Sequence, residues 1–174
     1  RLQQEISAFY GQHKNSRAQQ TFSVGYFPNE VITSVMELFD YKCAFCESSL
    51  METKMGYESY FHRFRPSSYS QRFDAKEIDQ DHYWWLTYEW ENLYACCHSC
   101  SRFKSNLFPV EGKRAAIKTA KEFISGREHA FLIDPCLDDS SQFCQFNITS
   151  GELEPVTNHT LSLVNTMTPQ ANAR

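Results

Sequence analysis

Glu91-Asn92-Leu93-Tyr94-Ala95-Cys96-Cys97-His98-Ser99-Cys100-Ser101-Arg102-Phe103-Lys104 is the stretch on which the fold turns. An apolar segment runs straight into a Cys-x-x-Cys turn, which aims two thiolates at one point. A second such turn, Cys43-Ala44-Phe45-Cys46, lies upstream. Two of these turns complete the tetrahedral S₄ shell that Zn²⁺ favours at ~2.3 Å per bond. The chain has seven cysteines, and an odd number that includes two such pairs argues for a structural metal in a reducing compartment rather than a disulfide framework. Cys96, Cys136 and Cys144 read as packed thiols, since free cysteine behaves as a small hydrophobe. A register with Cys96 in place of Cys97, or with His98 replacing one thiolate, is the alternative; the two-residue spacing favours Cys97.

The interval from Cys46 to Cys97 far exceeds the ~15–20 residues of a ribbon-type zinc module. The metal is therefore expected to staple the edges of a larger unit. Moving outward, Asn29 to Tyr41 carries Val31, Ile32, Val35, Met36, Leu38 and Phe39 at helical spacing, and this helix delivers the chain to Cys43. A short helix fits within Arg1 to Gln20. Tyr57 to Phe64 reads as a strand ended by Pro66, Ser67 to Gln80 as a polar loop, and Tyr83 to Tyr88 as a second aromatic strand. Asn92 to Lys104 enters a helix at or just after the second cysteine turn. Lys113 to Ile124 is helical by propensity and closed by Ser125-Gly126. Phe131 to Pro135 reads as a short buried strand, and Phe143 to Leu153, with Ser150-Gly151 between, as a hairpin.

The chain of 174 residues is 41% hydrophobic and 22% charged, which excludes a disordered polymer. No apolar run approaches the ~18 residues of a membrane span. The formal charge of −4 gives no overall basic surplus for nucleic acid. Charge is nevertheless uneven: Arg102, Lys104, Lys113, Arg114, Lys118 and Lys121 face only Glu111, whereas Glu128 to Glu154 contains no lysine or arginine. That distribution fits either a basic patch beside the cysteines or two solvated faces. Arg1 is no native start, so further context is expected, and nothing at the start of the chain signals secretion. A cytoplasmic location is expected.

Between the cysteine turns lies Tyr60-Phe61-His62-Arg63-Phe64-Arg65-Pro66. Taken singly, such a histidine reads as a packed ring and Asn92 as a helix cap. Their order, a histidine ending a strand and then an asparagine leading into a Cys-x-x-Cys helix, resembles the HNH (ββα-metal) endonucleases. It is most similar to the branch containing the PtuB-type nuclease subunit of Septu antiphage systems. The residues carrying the resemblance are Cys43-Ala44-Phe45-Cys46-Glu47, His62 to Pro66, and Tyr83-Trp84-Trp85-Leu86 with Trp90 and Asn92-Leu93. Cys97 to Lys104, Phe108-Pro109 and the later Leu132-Ile133-Asp134-Pro135 complete them.

The resemblance implies an α+β fold: a ββα-metal core stapled by a Cys₄ zinc site, with flanking helices and a C-terminal hairpin. The expected organisation is an N-terminal helical region over 1–42, the zinc-bound core over 43–112, and a C-terminal helix and hairpin over 113–174, forming one domain. It implies phosphodiester hydrolysis with His62 as general base and Asn92 orienting it or holding the hairpin that presents it. Arg63, Arg65, Arg102 and Lys104 would contact DNA phosphates, and Mg²⁺ or Mn²⁺ would assist catalysis. An ATPase partner subunit or fused domain, and a role in bacterial defence, are implied as well.

Two positions depart from the family pattern. Phe61 stands where an acid precedes the histidine, and Ser101 where an asparagine or histidine follows the second turn, leaving Ser101 a weak ligand for a hard cation. Glu58, Asp81 or His82 could substitute; Asp81-His82 is also a rival base pair, but it lies too near Asn92 for two strands and a turn. The alternative function is therefore a zinc-stabilised module that binds nucleic acid or a protein without cutting. A plain interaction domain presenting Trp84, Trp85 and Trp90 is a third reading.

Overall fold

In the computed structural model the described residues are 1–12, 14–17, 22, 27–51, 61–67, 70–71, 78–79 and 81–156. Helices α1 (Leu2–Gly11), α2 (Lys14–Arg17) and α3 (Asn29–Leu38) come first. In α3 the helical stripe turns Ile32, Val35 and Met36 inward, as its spacing predicts. Strand β1 (Phe61–Arg63) pairs antiparallel with β4 (Leu93–Ala95), with His62 opposite Tyr94. Residues 57–60, the start of the expected first strand, lie outside the described residues.

Strand β4 is buried throughout and separates two apolar clusters. Because side chains alternate along a strand, Tyr94 faces one cluster while Leu93 and Ala95 face the other. The first cluster gathers Phe64, Tyr83, Trp84, Leu86, Phe108 and Ile124; the second gathers the inward face of α3 with Cys43, Leu50 and Cys96. Helix α4 (His98–Lys104) follows β4 directly, so strand, strand and helix form one local unit. The outlying pairs are small: β2 (Ser70–Gln71) with β3 (Ile78–Asp79), β5 (Val110–Glu111) with β6 (His129–Ala130), and the hairpin β7 (Cys144–Asn147) with β8 (Glu152–Pro155). The result is a mixture of helices and two-stranded sheets.

Several expectations need correction. Tyr83 to Tyr88 is not a strand: Trp84–Leu86 is a 3₁₀ turn entered through Tyr83 at φ 62°. Five consecutive side chains, Tyr83 to Thr87, are buried, and a tight coil wrapped by its neighbours achieves this. Trp84 stacks on Tyr10 at 5.0 Å, and Trp85 Nε1 donates to the Thr119 carbonyl at 3.0 Å.

Among the described residues beyond 112 there is no α-helix. Within the expected helix, residues 113–120 are irregular and Lys121–Phe123 forms a 3₁₀ turn. The backbone here is drawn off to tertiary partners: the Ala115 N–H donates to Glu128 Oε2, the Thr119 carbonyl serves Trp85, and Lys118 sits at φ 64°. Tertiary context thus overrides propensity. Phe131 to Pro135, expected as a strand, holds none; the two-residue β6 ends just before it, and residues 67–80 hold β2 and β3. Asn92 ends a 3₁₀ turn before β4 and caps no helix.

Candidate metal centre and histidine site

The first cysteine turn is closed by backbone bonds from Cys43 N to Ser48 O (3.0 Å) and from Glu47 N to Cys43 O (2.8 Å), with Glu47 left-handed at φ 59°. Ala44 N donates to Ala95 O at 2.8 Å, which fastens this turn to the end of β4. The second turn begins α4: Cys97 is its N-cap, and the Cys97 Sγ accepts from Cys100 N at 3.4 Å. The two turns therefore meet. The sulfurs of Cys43, Cys46, Cys97 and Cys100 all lie within 4.8 Å of one another, and Cys46 and Cys97 are 3.8 Å apart. Four sulfurs at ~2.3 Å from a tetrahedral centre are about 3.8 Å apart, so the set fits Zn²⁺. These four cysteines can hold a zinc ion.

Among the described residues no other histidine, cysteine or carboxylate set converges in this way. Cys96 is buried behind the group. Hydrogen bonds from Cys100 and Cys96 hold the Cys43 thiol far below the usual range and push their own thiols up. His98 is exposed on α4, Cys136 is exposed, and Cys144 donates to Ser140 O.

His62 sits half-buried on β1, facing α4. Its Nε2 lies 2.9 Å from the Ser105 carbonyl, and its Nδ1 lies 3.4 Å from Ser101 Oγ. A carbonyl only accepts, so the proton is on Nε2 and the Nδ1 lone pair faces Ser101. Burial, helped by the charges of Lys104 and Arg63, lowers the imidazole to about 3 despite the Ser105 bond. The ring is therefore neutral through the physiological range.

Asn92 is fully engaged with backbone. Its Oδ1 accepts from Arg65 N at 2.7 Å, and its Nδ2 donates to Arg65 O and to Leu86 O, both at 2.9 Å. It clips the chain leaving β1 to the chain entering β4, and its hydrogen bonds go to that backbone and not to the His62 ring.

Three of the four expected phosphate-binding cations are turned inward. Arg63 Nε donates to Thr87 O at 2.8 Å and its guanidinium lies over Phe27 and Phe61; burial lowers it to about 10. Arg65 Nε pairs with buried Glu128 at 3.0 Å. Lys104 Nζ donates to Arg63 O at 3.1 Å, and burial brings it down to about 7. Arg102 is exposed.

Phe61 packs edge-on against Phe27 at 4.9 Å. With a phenyl ring there and a hydroxyl at Ser101, the described residues around His62 do not make an oxygen cage for Mg²⁺ or Mn²⁺. Glu58 lies outside the described residues. Asp81 pairs with Arg17 at 2.8 Å and His82 with Asp79 at 3.1 Å, which ties the first to α2 and the second to β3. Trp84 and Trp85 are buried and Trp90 is exposed. Two residues went unnoticed in the sequence: Ser105, whose carbonyl holds the histidine, and Glu128, which anchors Arg65, Tyr83 and Ala115 from 45 residues or more away in the case of the first two. Only the i, i+4 spacing of Ser101 and Ser105 hints at the first.

Over 125 residues, 71% of the chain, the sequence is 32% identical to the Septu protein PtuB of Bacillus mycoides (strain KBAB4). Over 100 residues, 58% of the chain, it is 37% identical to the Septu protein PtuA of the same organism. The chain spans 41% of that PtuB and 13% of that PtuA. No family model and no solved structure matches. Among the described residues no helix is long and apolar enough to cross a membrane.

Proposed function

We propose that the chain is an HNH-type DNA endonuclease module of a Septu-type antiphage system, with His62 as the general base. The observation that carries this reading is the imidazole on β1 with its proton on Nε2, held by Ser105 O, and its Nδ1 lone pair turned to the face of α4. A base must offer a lone pair in its neutral form, and this ring does; a ring held at about 3 takes up a proton weakly, so the anionic phosphate in the site has to raise its proton affinity for the reaction to run. The β1–β4–α4 unit and the Cys₄ group support the ββα-metal assignment, and the likeness to PtuA and PtuB supports the setting. Zinc held by Cys43, Cys46, Cys97 and Cys100 would act as a structural staple, fixing the start of α4 relative to β4.

In the reaction, water activated at His62 Nδ1 attacks the phosphorus as the ring takes the water proton; the P–O bond to the leaving sugar oxygen breaks, and that oxygen takes a proton from solvent. Asn92 keeps the hairpin rigid while this happens. Arg102, the exposed member of the four cations, contacts phosphate, whereas Arg63, Arg65 and Lys104 act through the scaffold. An ATPase partner, as a subunit or a fused domain, controls the activity.

A second reading is a catalytically lapsed module that binds without cutting. Phe61 packed on Phe27 and the lone hydroxyl of Ser101 favour it, because neither supplies what a hard cation needs. Plasmid cleavage with Mg²⁺ or Mn²⁺ separates the two. The nuclease reading expects nicking by the wild-type chain and none by His62→Ala at unchanged zinc content and melting temperature. If the wild-type chain is silent and Phe61→Asp with Ser101→Asn gains activity, the lapsed reading stands.

A further inference from the structure

We infer that Ser105 is a positioning residue for His62, acting through a strained backbone that turns its carbonyl onto Nε2 and fixes which ring nitrogen carries the lone pair. The inference rests on the reading of His62 as the base. Ser105 closes α4 at φ 43°, ψ −130°, a region that residues bearing a Cβ rarely occupy. Glycine is the usual residue for such a backbone. The surrounding bonds enforce it on a serine. Ser105 N donates to Ser101 O at 2.8 Å, Leu107 N donates to Lys104 O at 2.8 Å, and Lys104 Nζ ties the same turn to Arg63 O on β1. Just downstream, Phe108 and Pro109 are buried and leave the turn no slack.

The product of this strain is a single contact, the 2.9 Å bond from His62 Nε2 to the Ser105 carbonyl. A freely exchanging imidazole places its proton on either nitrogen and turns in its pocket, so losing the Ser105 contact would cost both the fraction of rings in the right tautomer and their orientation. The 3.4 Å separation of Nδ1 from Ser101 Oγ is long for an O–H···N bond, so the Ser105 contact is the stronger of the two and decides the tautomer. One helical turn thus meets both nitrogens, from positions 101 and 105.

The test is long-range ¹H–¹⁵N correlation on the zinc-loaded chain with ¹⁵N-labelled histidine, at pH 7, for wild type, Ser105→Gly and Ser105→Val. Wild type and the glycine variant are expected to show His62 protonated at Nε2, glycine because it adopts this backbone without penalty. The valine variant is expected to show averaged tautomer shifts and a cleavage rate about tenfold below that of the glycine variant, at equal zinc content. Protonation at Nδ1 in the wild type, or loss of the Nε2 pattern in the glycine variant, overturns the inference even if the valine variant fails to fold. A wild-type chain with the fixed tautomer but no cleavage supports the positioning and overturns the nuclease reading instead.

Discussion

Asn92 makes three hydrogen bonds from its amide, all to backbone groups of Arg65 and Leu86 inside the protein. Replacing it with alanine orphans one N–H and two carbonyls, each at about 1–3 kcal/mol. Asn92→Ala is expected to lower unfolding free energy by about 3 kcal/mol or more, measured by denaturant titration of the zinc-loaded chain. A loss below about 1 kcal/mol would mean that water replaces the amide. The sequence placed this asparagine beside a helix; its true partners, 27 residues upstream in the case of Arg65, leave no local signal.

For His62 the sign of its shift decides a pH profile. The folded ring is depressed to about 3, so it is neutral above that value and cleavage should show no fall with a midpoint near 6.5. Rates across pH 5.5 to 8, with zinc content checked at each pH, test this. Between about 3 and 6.5 the unfolded chain binds the extra proton, so this group's contribution to stability is present above about 6.5 and is lost as pH falls through that window.

At the scale of elements, what was legible is what local pattern determines. The stripe of α3, the four-cysteine convergence and the β7–β8 hairpin each follow from spacing within a few residues or from one metal's geometry. The segment 113–124 was not legible, because its backbone answers to Glu128 and Trp85 rather than to its own propensity. Glu128 accepts from Arg65 Nε at 3.0 Å, Tyr83 Oη at 2.8 Å and Ala115 N at 3.0 Å, joining β1, the aromatic 3₁₀ turn and the C-terminal segment at one carboxylate. Removing one member of a buried pair strands the other charge, at about 3–5 kcal/mol. Glu128→Ala is therefore expected to lower stability by about that amount, whereas Arg65→Met with Glu128→Leu should recover only the part due to the stranded charge, because Tyr83 Oη and Ala115 N still lose their acceptor. A double-mutant cycle with no coupling would remove the anchor role. The cysteine centre makes a parallel case: zinc would join the start of α4 to the Cys43–Cys46 turn, and binding energy to such a site is folding energy. Chelation should collapse near-ultraviolet circular dichroism, and restored zinc should return it.

For the whole molecule, burial decides how the chain can meet DNA. The formal charge is −4, and Arg63, Arg65 and Lys104 direct their charge into the interior. Arg114 likewise donates to the Phe108 carbonyl and the Tyr83 hydroxyl. On the basic side Arg102, Lys113 and Lys118 remain exposed. Each phosphate neutralised adds about −0.9 to the slope of log affinity against log salt, so three contacts give roughly −3. The isolated chain is expected to bind duplex DNA weakly, with a slope no steeper than that. A partner that contributes its own basic surface would steepen the slope and raise affinity together, since both come from the same released counterions. Fluorescence anisotropy over about 50–300 mM salt, with and without a co-purified partner, reads both quantities. A slope near −6 for the chain alone would mean that cations beyond these three, exposed Arg127 among them, carry the interface, and the division of labour between module and partner would then have to be reversed.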